Sequence, residues 1–270
     1  MDNGGVSMPF TYTLCARPGQ TASAAASGLP LGHMAWHVGP GPALLAHSVG
    51  MSMRGGVMVL SDAGFSDLPR QPDSAAVSGM ARDLTGEMGR RGFGGLACDF
   101  EQRRSPALER LVGELAGSLR RKNLSLYVPE HYAHCGDACV LISTAITQGS
   151  LAARLRQAVE RHGQPGRLFL DVECLALDIT LPSPGNTGKR LSREELAALL
   201  RERGGQSFFS AELCARYFTY RNADEHHFVI YDDGGTLRQK AQTAARLGLT
   251  GGFLLFPEAE PFLAHLTSLP

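Results

Sequence analysis

The sequence predicts an α/β fold in which eight parallel strands close into a (β/α)8 barrel. Apolar strand-like segments alternate with amphipathic helix-like segments along the chain, which favours parallel strands joined by crossover helices. The length of 270 residues matches one such barrel, which can run as a single domain. No G-x-G-x-x-G follows the first strand, so a doubly wound open sheet with a nucleotide site is less favoured. We expect a flexible N-terminus over residues 1–9 and a single (β/α)8 barrel over residues 10–270.

Eight barrel strands are predicted from short apolar runs that end at glycine, proline or polar residues. In chain order they are 10–15, 31–38, 55–61, 91–101, 124–129, 138–146, 167–177 and 251–256. A small insertion is expected between the last two strands, in a region that also contains the strand-like piece 228–231.

Helices are predicted between these strands where apolar residues recur at helical spacing. The clearest is 105–121, whose apolar stripe consists of Leu108, Leu111, Val112, Leu115 and Leu119. The other helical segments are 20–27, 75–90, 150–161, 192–203 and 236–247. Ser192 and Glu195 have the spacing of a capping box, so Ser192 is the expected N-cap of its helix.

Charge and composition exclude several classes of partner. The chain has 26 Lys and Arg residues against 26 Asp and Glu residues, without a long basic run. We therefore expect neither nucleic acid nor an anionic membrane as a partner. The 43% of hydrophobic residues suffice for a full core, and no stretch approaches the roughly 20 apolar residues of a membrane span.

The N-terminal segment and the cysteines indicate a reducing compartment. Residues 1–8 are polar and lack the charged and apolar regions of a secretory signal. The six cysteines are scattered without paired spacing, and Cys98 and Cys174 fall inside predicted strands. We interpret the cysteines as reduced and expect a cytoplasmic location.

Two acidic residues close the predicted strand 91–101. Side chains alternate along a strand, so Ala97, Asp99 and Glu101 share one face. Carboxylates are costly to desolvate on a buried strand unless they are paired or perform chemistry. In barrel enzymes, catalytic groups lie at the C-terminal ends of the strands. Asp99 and Glu101 are therefore candidate catalytic residues.

This stretch also resembles a known family. Residues 94–101, G-G-L-A-C-D-F-E, resemble the D-x-x-D-x-D-x-E signature on the fourth strand of glycoside hydrolase family 18, the chitinase-like family. The last Asp and the Glu are present, whereas Gly94 and Ala97 occupy the first two acidic positions. Segments between 216 and 252 are similar in order and spacing to the end of the spore-cortex-lytic branch of that family. This branch implies an association with spores.

The resemblance implies a function as well as a fold. In family 18 the acetamido group of an N-acetylglucosamine unit acts as the nucleophile, so one protein acid is sufficient. Carried over, Glu101 would protonate the glycosidic oxygen, and Asp99 would orient the acetamide and stabilise the oxazolinium ion. The implied ligand is a β-linked N-acetylglucosamine-containing glycan, of peptidoglycan or chitin type. No cofactor and no metal are implied.

Three departures from the family pattern support a second hypothesis. The Tyr that hydrogen-bonds the acetamide corresponds to Ala145, the sugar-stacking Trp of strand eight corresponds to Phe256, and an aromatic of strand seven corresponds to Leu175. Losing a preorganised donor such as that Tyr can cost roughly 3 kcal/mol of barrier. The alternative is a catalytically lapsed, chitinase-like carbohydrate-binding or spore-structural protein.

A further pair of acids supports a third hypothesis. Asp171 and Glu173 alternate along the predicted seventh strand and would face the barrel interior, unless the register is shifted by one residue. Glu101 and Glu173 could then support hydrolysis by two carboxylates, with a mechanism set by their separation. Asp171 and Glu173 are otherwise expected to contact the glycan, together with Phe256.

Other polar residues have weaker assignments. Trp36 and His37, near the end of the second strand, could line the pocket or serve as core residues. Four potential zinc ligands follow the fifth strand, but their spacing matches no standard site. They are His131, His134, Cys135 and Cys139. Ordinary loop and core roles are favoured for these four.

Overall fold

The computed structural model describes residues 10–39, 44–46, 53–63, 74–101, 104–183, 188–203 and 206–267. The predicted flexible N-terminus, residues 1–9, lies outside the described residues, and the single domain expected over residues 10–270 stays a prediction.

The strands are β1 Thr11–Ala16, β2 Leu31–Val38, β3 Leu44–Ala46, β4 Val57–Ser61, β5 Gly95–Asp99, β6 Ser125–Pro129, β7 Cys139–Ser143, β8 Leu168–Val172, β9 Ala176–Leu181, β10 Lys189–Arg190, β11 Phe208–Ser210, β12 Ala215–Asn222, β13 Glu225–Tyr231 and β14 Gly251–Leu255. The helices are α1 Thr21–Ala25, α2 Ser74–Arg91, α3 Pro106–Arg121, α4 Leu151–His162, α5 Arg193–Arg203, α6 Gly234–Arg246, α7 Phe256–Ala259 and α8 Leu263–Leu266.

Eight parallel strands close into a barrel, which confirms the predicted (β/α)8 fold. Around the ring the order is β1, β2, β4, β5, β6, β7, β8 and β14, and closure occurs because β1 pairs with both β2 and β14. The remaining strand of this sheet, β3, pairs antiparallel with β2 outside the ring. Within the described ranges, no helix combines the length and apolarity that a membrane crossing requires.

The barrel interior is filled by apolar side chains from alternate strand positions. Its buried residues are Cys15, Val59, Ala97, Leu141 and Phe253. The Tyr127 ring packs edge-on at 5.0 Å from Phe169 and 4.9 Å from Phe253. Glycine makes room for two of these rings, because a Cβ at Gly95 would lie 3.1 Å from Tyr127 and one at Gly251 would lie 3.0 Å from Phe169.

The helices outside the barrel follow the predicted stripes and caps. All five predicted apolar residues of α3 are buried: Leu108, Leu111, Val112, Leu115 and Leu119. The Ser105 hydroxyl caps this helix by accepting the Ala107 N–H at 3.3 Å. The predicted capping box of α5 is present, because the Glu195 N–H donates to the Ser192 hydroxyl and the Ser192 N–H donates to the Glu195 carboxylate.

The insertion between the last two barrel strands is a second sheet. Its five antiparallel strands have the order β10, β9, β13, β12, β11, and α5 covers one face through Leu196, Leu199 and Leu200. The prediction placed a small insertion here. The observed one occupies most of the chain between β8 and α6.

The predicted seventh strand over 167–177 was wrong in its extent. The barrel strand β8 ends at Val172, and the chain leaves the barrel over residues 173–175 before β9 begins. The Leu175 N–H donates to the Asp232 carboxylate at 2.9 Å instead of continuing the barrel ladder. The apolar run therefore belongs to two sheets, which the alternation of side chains alone does not distinguish.

A buried ion pair anchors the insertion where its chain returns to the barrel. The Lys240 ammonium lies 2.6 Å from the Asp232 carboxylate, and both side chains are fully buried. The same carboxylate accepts the Leu175 N–H at 2.9 Å and the Thr236 hydroxyl at 2.7 Å. Asp232 thus joins the start of β9, the end of β13 and the first turn of α6.

Candidate functional site

A cleft of about 1480 Å³ opens at the C-terminal ends of the barrel strands. Residues at or just after the ends of all eight barrel strands line it, among them Arg17, His37, Ser61, Glu101, Glu130, Ser143, Asp171 and Leu255. Ligands of (β/α)8 enzymes bind at this face, because the loops after the strands bring side chains from distant parts of the chain together.

The structure places Asp99 and Glu101 in the wall of this cleft. Ala97 lies in the barrel interior and Cys98 packs on the opposite side against the outer helices, as strand alternation predicts. Phe100 is buried outside the barrel, with its ring 5.5 Å from Tyr132. This anchor between the two acids directs Asp99 and Glu101 toward the cleft, where Glu101 is exposed and Asp99 is half-buried.

Asp62, which the sequence interpretation missed, holds the backbone of both acids. Its backbone N–H donates to the Asp99 carbonyl at 3.2 Å, and its carboxylate accepts the Glu101 N–H at 3.1 Å. Asp62 is only 2% exposed and directly follows β4. The sequence does contain a signal that could have identified Asp62, because it is an acidic residue immediately after a predicted barrel strand. These bonds continue the pairing of β4 and β5 beyond the ends of the two strands.

The clustered carboxylates raise one another's pKa values. Burial is the main cause that raises the pKa of Asp99 to about 6, and the charges of Glu101, Asp171 and Asp62 add to the effect, whereas Arg17 opposes it. The pKa of Asp171 is also raised to about 6. Desolvation by the surrounding protein is the largest cause, and neighbouring acids, chiefly Glu173, add to it. Asp171 nevertheless stays accessible to water through the mouth of the cleft. The cluster can therefore hold a proton near pH 6.

We expect Asp99 to destabilise the fold as the pH rises. Its carboxyl pKa is raised from 3.8 to about 6, so between these values the folded state keeps a proton that the unfolded state has released. Below pH 3.8 the carboxyl is protonated in both states and does not lower the free energy of unfolding. Above about pH 6 it is ionised in both states, and the full destabilisation of the folded state is present. After allowance for solvent screening, Asp99→Asn should raise the free energy of unfolding by about 1 kcal/mol near pH 7 and by about zero near pH 4.

Urea unfolding at both pH values measures this difference. Asp83→Asn is the matched control, because Asp83 is exposed on α2 and does not line the cleft. A stabilisation by Asp99→Asn that is equal at low and neutral pH would contradict the proton-linked origin.

Glu173 lies in the cleft but its carboxylate is engaged. Arg190, on β10 of the insertion, forms ion pairs with both Glu173 and Glu258, the second at 2.9 Å. The other oxygen of Glu258 accepts the Cys174 N–H at 2.9 Å. This network ties the insertion to the segment after β14. The structure thus brings four predicted acids into one cleft: Asp99, Glu101, Asp171 and Glu173.

The end of β7 and the helix after it add basic side chains to the cleft. Arg154 and Arg161, both on α4, line the cleft and pair with the same carboxylate, Glu130, at 3.2 and 2.8 Å. His162 lies 3.5 Å from that carboxylate as well. The sequence interpretation did not single out these arginines, because they lie on an ordinary amphipathic helix with nothing to show which side of it reaches the cleft.

The predicted ligand-binding residues near β2 and β14 have different surroundings. His37 is half-buried and lines the cleft. Trp36 is also among the residues that line the cleft, but its ring is buried outside the barrel, 5.3 Å from Phe93 and beneath the Arg91 guanidinium, because adjacent strand residues point to opposite faces. Phe256 begins α7 and is buried in the core outside the barrel, so its ring does not line the cleft, where Leu255 is exposed instead.

The positions of two other family aromatics are also occupied by core residues. Ala145 and Leu175 pack together with Ile179 of the insertion sheet. Neither lines the cleft, whereas Ser143, two residues before Ala145, does. The cleft therefore has no aromatic side chain from these two positions.

The predicted His and Cys residues are spread over separate surroundings. His131 lines the cleft, whereas the His134 imidazole lies 2.9 Å from the Arg104 guanidinium. Cys135 contacts His134, and Cys139 begins β7. Over the described ranges, no three His, Cys, Asp or Glu side chains converge to form a metal site.

Comparison with solved structures identifies the fold as that of family 18 chitinases. The spore cortex-lytic enzyme SleL of Bacillus megaterium is 14% identical, with a TM-score of 0.66 over 97% of this chain and 75% of that one. A chitinase of Chromobacterium violaceum is 18% identical, with a TM-score of 0.68 over 95% of this chain and 98% of that one. A family 18 chitinase of Cycas revoluta, solved with allosamidin, is 15% identical, with a TM-score of 0.66 over 96% and 98%.

The similarity is one of structure and not of sequence. No protein-family model matches the chain, and no curated protein matches it in sequence. The resemblance predicted from residues 94–101 is thus confirmed at the level of the fold.

Proposed function

We propose that this protein is a glycoside hydrolase that cleaves a β-linked N-acetylglucosamine-containing glycan in the barrel cleft, with Glu101 as the proton donor. The observation that carries the proposal is the position of Asp99 and Glu101, side by side on the cleft wall at the end of the fourth barrel strand. Structural neighbours were solved with allosamidin and with (GlcNAc)3, which supports a glycan as the ligand.

In this mechanism the substrate supplies the nucleophile. Glu101 protonates the glycosidic oxygen while the acetamido oxygen of the sugar whose glycosidic bond is cleaved attacks the anomeric carbon of that same sugar, so the leaving alcohol departs and an oxazolinium ion forms. Asp99 accepts the acetamide N–H and balances the positive charge of that ion. Glu101, now ionised, takes a proton from the water that opens the ring. With a pKa of about 6, Asp99 is mostly ionised at neutral pH, as this role requires.

Asp62 fixes the backbone that carries Asp99 and Glu101. Because it bonds the backbone on both sides of Phe100, it restricts the direction in which the Asp99 and Glu101 side chains leave the chain. A general acid must lie within hydrogen-bonding reach of the oxygen that it protonates. Asp62 contributes to that placement through its bonds to the backbone of the two acids.

A carbohydrate-binding protein without turnover is the second candidate. The observations that favour it are Ala145 in the position of the acetamide-binding Tyr and the burial of Phe256 away from the cleft. Losing a hydrogen-bond donor of this type can cost roughly 3 kcal/mol of transition-state stabilisation, more than a hundredfold in rate. A binding role in a spore structure needs the cleft and no acid catalysis.

Release of product from a fluorogenic chitobioside and from peptidoglycan tests the proposal, with Glu101→Gln assayed alongside the native protein. Release that disappears in the variant supports the hydrolase. If neither protein releases product but both still bind the sugar in calorimetry, the result supports the carbohydrate-binding protein instead. Absence of both release and binding would exclude both candidates.

A further inference from the structure

Arg17 differs from the other arginines of the cleft in having no ion pair. The other three are engaged with acidic side chains of the cleft, and they are Arg154, Arg161 and Arg190. Arg17 lines the same cleft, and within the described part of the chain its guanidinium has no such partner. Its positive charge is therefore not committed to a neighbouring carboxylate and can act on the cleft as a whole.

The strand β1 directs Arg17 toward the mouth of the barrel. Side chains alternate along a strand, so Arg17 lies on the same side as Cys15, which is buried in the barrel interior. Asp99 likewise follows an interior residue, Ala97, by two positions. In the ring order β1, β2, β4, β5, the strands that carry Arg17 and Asp99 are three places apart. The two side chains thus enter the cleft from different parts of its rim, just above the same apolar layer.

The backbone of Arg17 is fixed where β1 ends. Its N–H donates to the side-chain carbonyl of Gln20 at 3.2 Å, and its carbonyl accepts the Gln20 N–H at 2.9 Å. Pro18 follows directly, and a proline restricts the backbone of the residue before it. The side chain of Arg17 therefore starts from a defined point on the rim, although it is exposed to water.

Asp99 is the acid at which the charge of Arg17 matters most. Burial is the largest cause that raises the pKa of Asp99, the charges of Glu101, Asp171 and Asp62 add to it, and the charge of Arg17 lowers it. A ligand that displaces water from the half-buried Asp99 favours its protonated form further. The other titratable groups near Asp99 or on the same cleft wall are Cys15, Cys98, His37 and His131.

We propose that Arg17 is a positioning residue for Asp99, and that its guanidinium keeps the Asp99 carboxyl ionised while a neutral glycan excludes water from the cleft. An ionised Asp99 accepts the acetamide N–H and balances the positive charge of the oxazolinium ion, whereas a protonated Asp99 carries no charge to balance it. Arg17 acts through Asp99 and needs no contact with the sugar. The effect on turnover rests on the proposed function, whereas the interaction between the two charges does not.

Carbon-13 NMR of the Asp99 carboxyl group tests the charge interaction without any substrate. The signal is assigned by its loss in Asp99→Asn. Arg17→Gln should raise the titration midpoint of Asp99 by about half a pH unit at low salt and by less at high salt, because exposed charges are screened. Arg17→Lys keeps the charge and should keep most of the native midpoint. Arg246→Gln, exposed at the end of α6 and outside the cleft, should leave the midpoint unchanged.

The pH profile of turnover tests whether this charge matters for the reaction. Because Asp99 must be ionised, kcat/KM of the native protein should fall on the acid side of the profile. Arg17→Gln should move this acid limb upward by the same half unit, which is about a threefold loss at pH 5 and no loss at pH 8. Arg17→Lys should restore the native limb. A purely structural defect would instead lower the rate by the same factor at both pH values.

The outcomes separate the role of Arg17 from the proposed function. An Asp99 midpoint that stays in place in Arg17→Gln, or that moves as far in Arg246→Gln, would overturn the assignment. A midpoint that moves while the acid limb of turnover stays would also overturn the positioning role and would leave the hydrolase intact. If the midpoint moves but the native protein releases no product, the proposed function fails, and the role of Arg17 in turnover fails with it. A midpoint and an acid limb that move together support the assignment.

Discussion

Replacing Lys240 with methionine is expected to lower the free energy of unfolding by about 3–5 kcal/mol. The ammonium lies 2.6 Å from the Asp232 carboxylate and neither side chain is accessible to solvent. Methionine has a similar length but no charge, so the variant leaves a buried carboxylate without its counter-ion. The remaining bonds to Asp232, from the Leu175 N–H and the Thr236 hydroxyl, compensate for only part of that loss. Urea unfolding monitored by circular dichroism measures the change.

Two further variants show whether the lost charge is the cause. Lys189→Met removes an exposed ion pair with Glu195 and should change the stability far less, because water screens exposed charges. In the double variant Asp232→Asn with Lys240→Met, no ion remains, and asparagine can still accept the Leu175 N–H through its carbonyl. This double variant should recover much of the lost stability. A Lys240→Met protein as stable as the Lys189→Met protein would show that the buried pair does not hold the insertion in place.

Much of the fold follows from patterns in the sequence that the packing then satisfies. The predicted stripe of α3 is buried because helix and barrel meet along it, and the capping box at Ser192 and Glu195 forms because its bonds are local. The alternation around Asp99 also holds, since Ala97 and Asp99 face inward while Cys98 and Phe100 face outward. Such features depend on neighbours a few residues apart.

Features set by distant parts of the chain were harder to predict. The apolar run after Leu168 reads as one strand, yet the Asp232 carboxylate takes the Leu175 N–H from 57 residues away and ends the barrel ladder. Phe256 aligned with a sugar-stacking residue, but the turn into α7 places it in the outer core. Asp62 bonds Glu101 across 39 residues. Periodicity within one segment contains no information on such partners.

Glu101→Gln is expected to reduce turnover by about 10²- to 10⁴-fold, the range that a positioned general acid contributes. Glutamine matches glutamate in shape but has no acidic proton for the leaving oxygen. The fold should be unaffected, because Glu101 is exposed and its bond to Asp62 comes from the backbone N–H, which the substitution keeps. Glu160→Gln, exposed on α4 and outside the cleft, is the matched control for the loss of one surface charge.

The same assay with Glu173→Gln distinguishes the two catalytic hypotheses. If the substrate's acetamide is the nucleophile, Glu173 is not needed for chemistry, and its loss should change the rate much less than the loss of Glu101. If two carboxylates share the reaction, both variants should lose comparable activity, and substrates without an acetamido group should be cleaved as well. Because the Glu173 carboxylate is engaged in an ion pair with Arg190, we expect the first result. Native turnover that persists undiminished in Glu101→Gln would remove Glu101 from the role of proton donor.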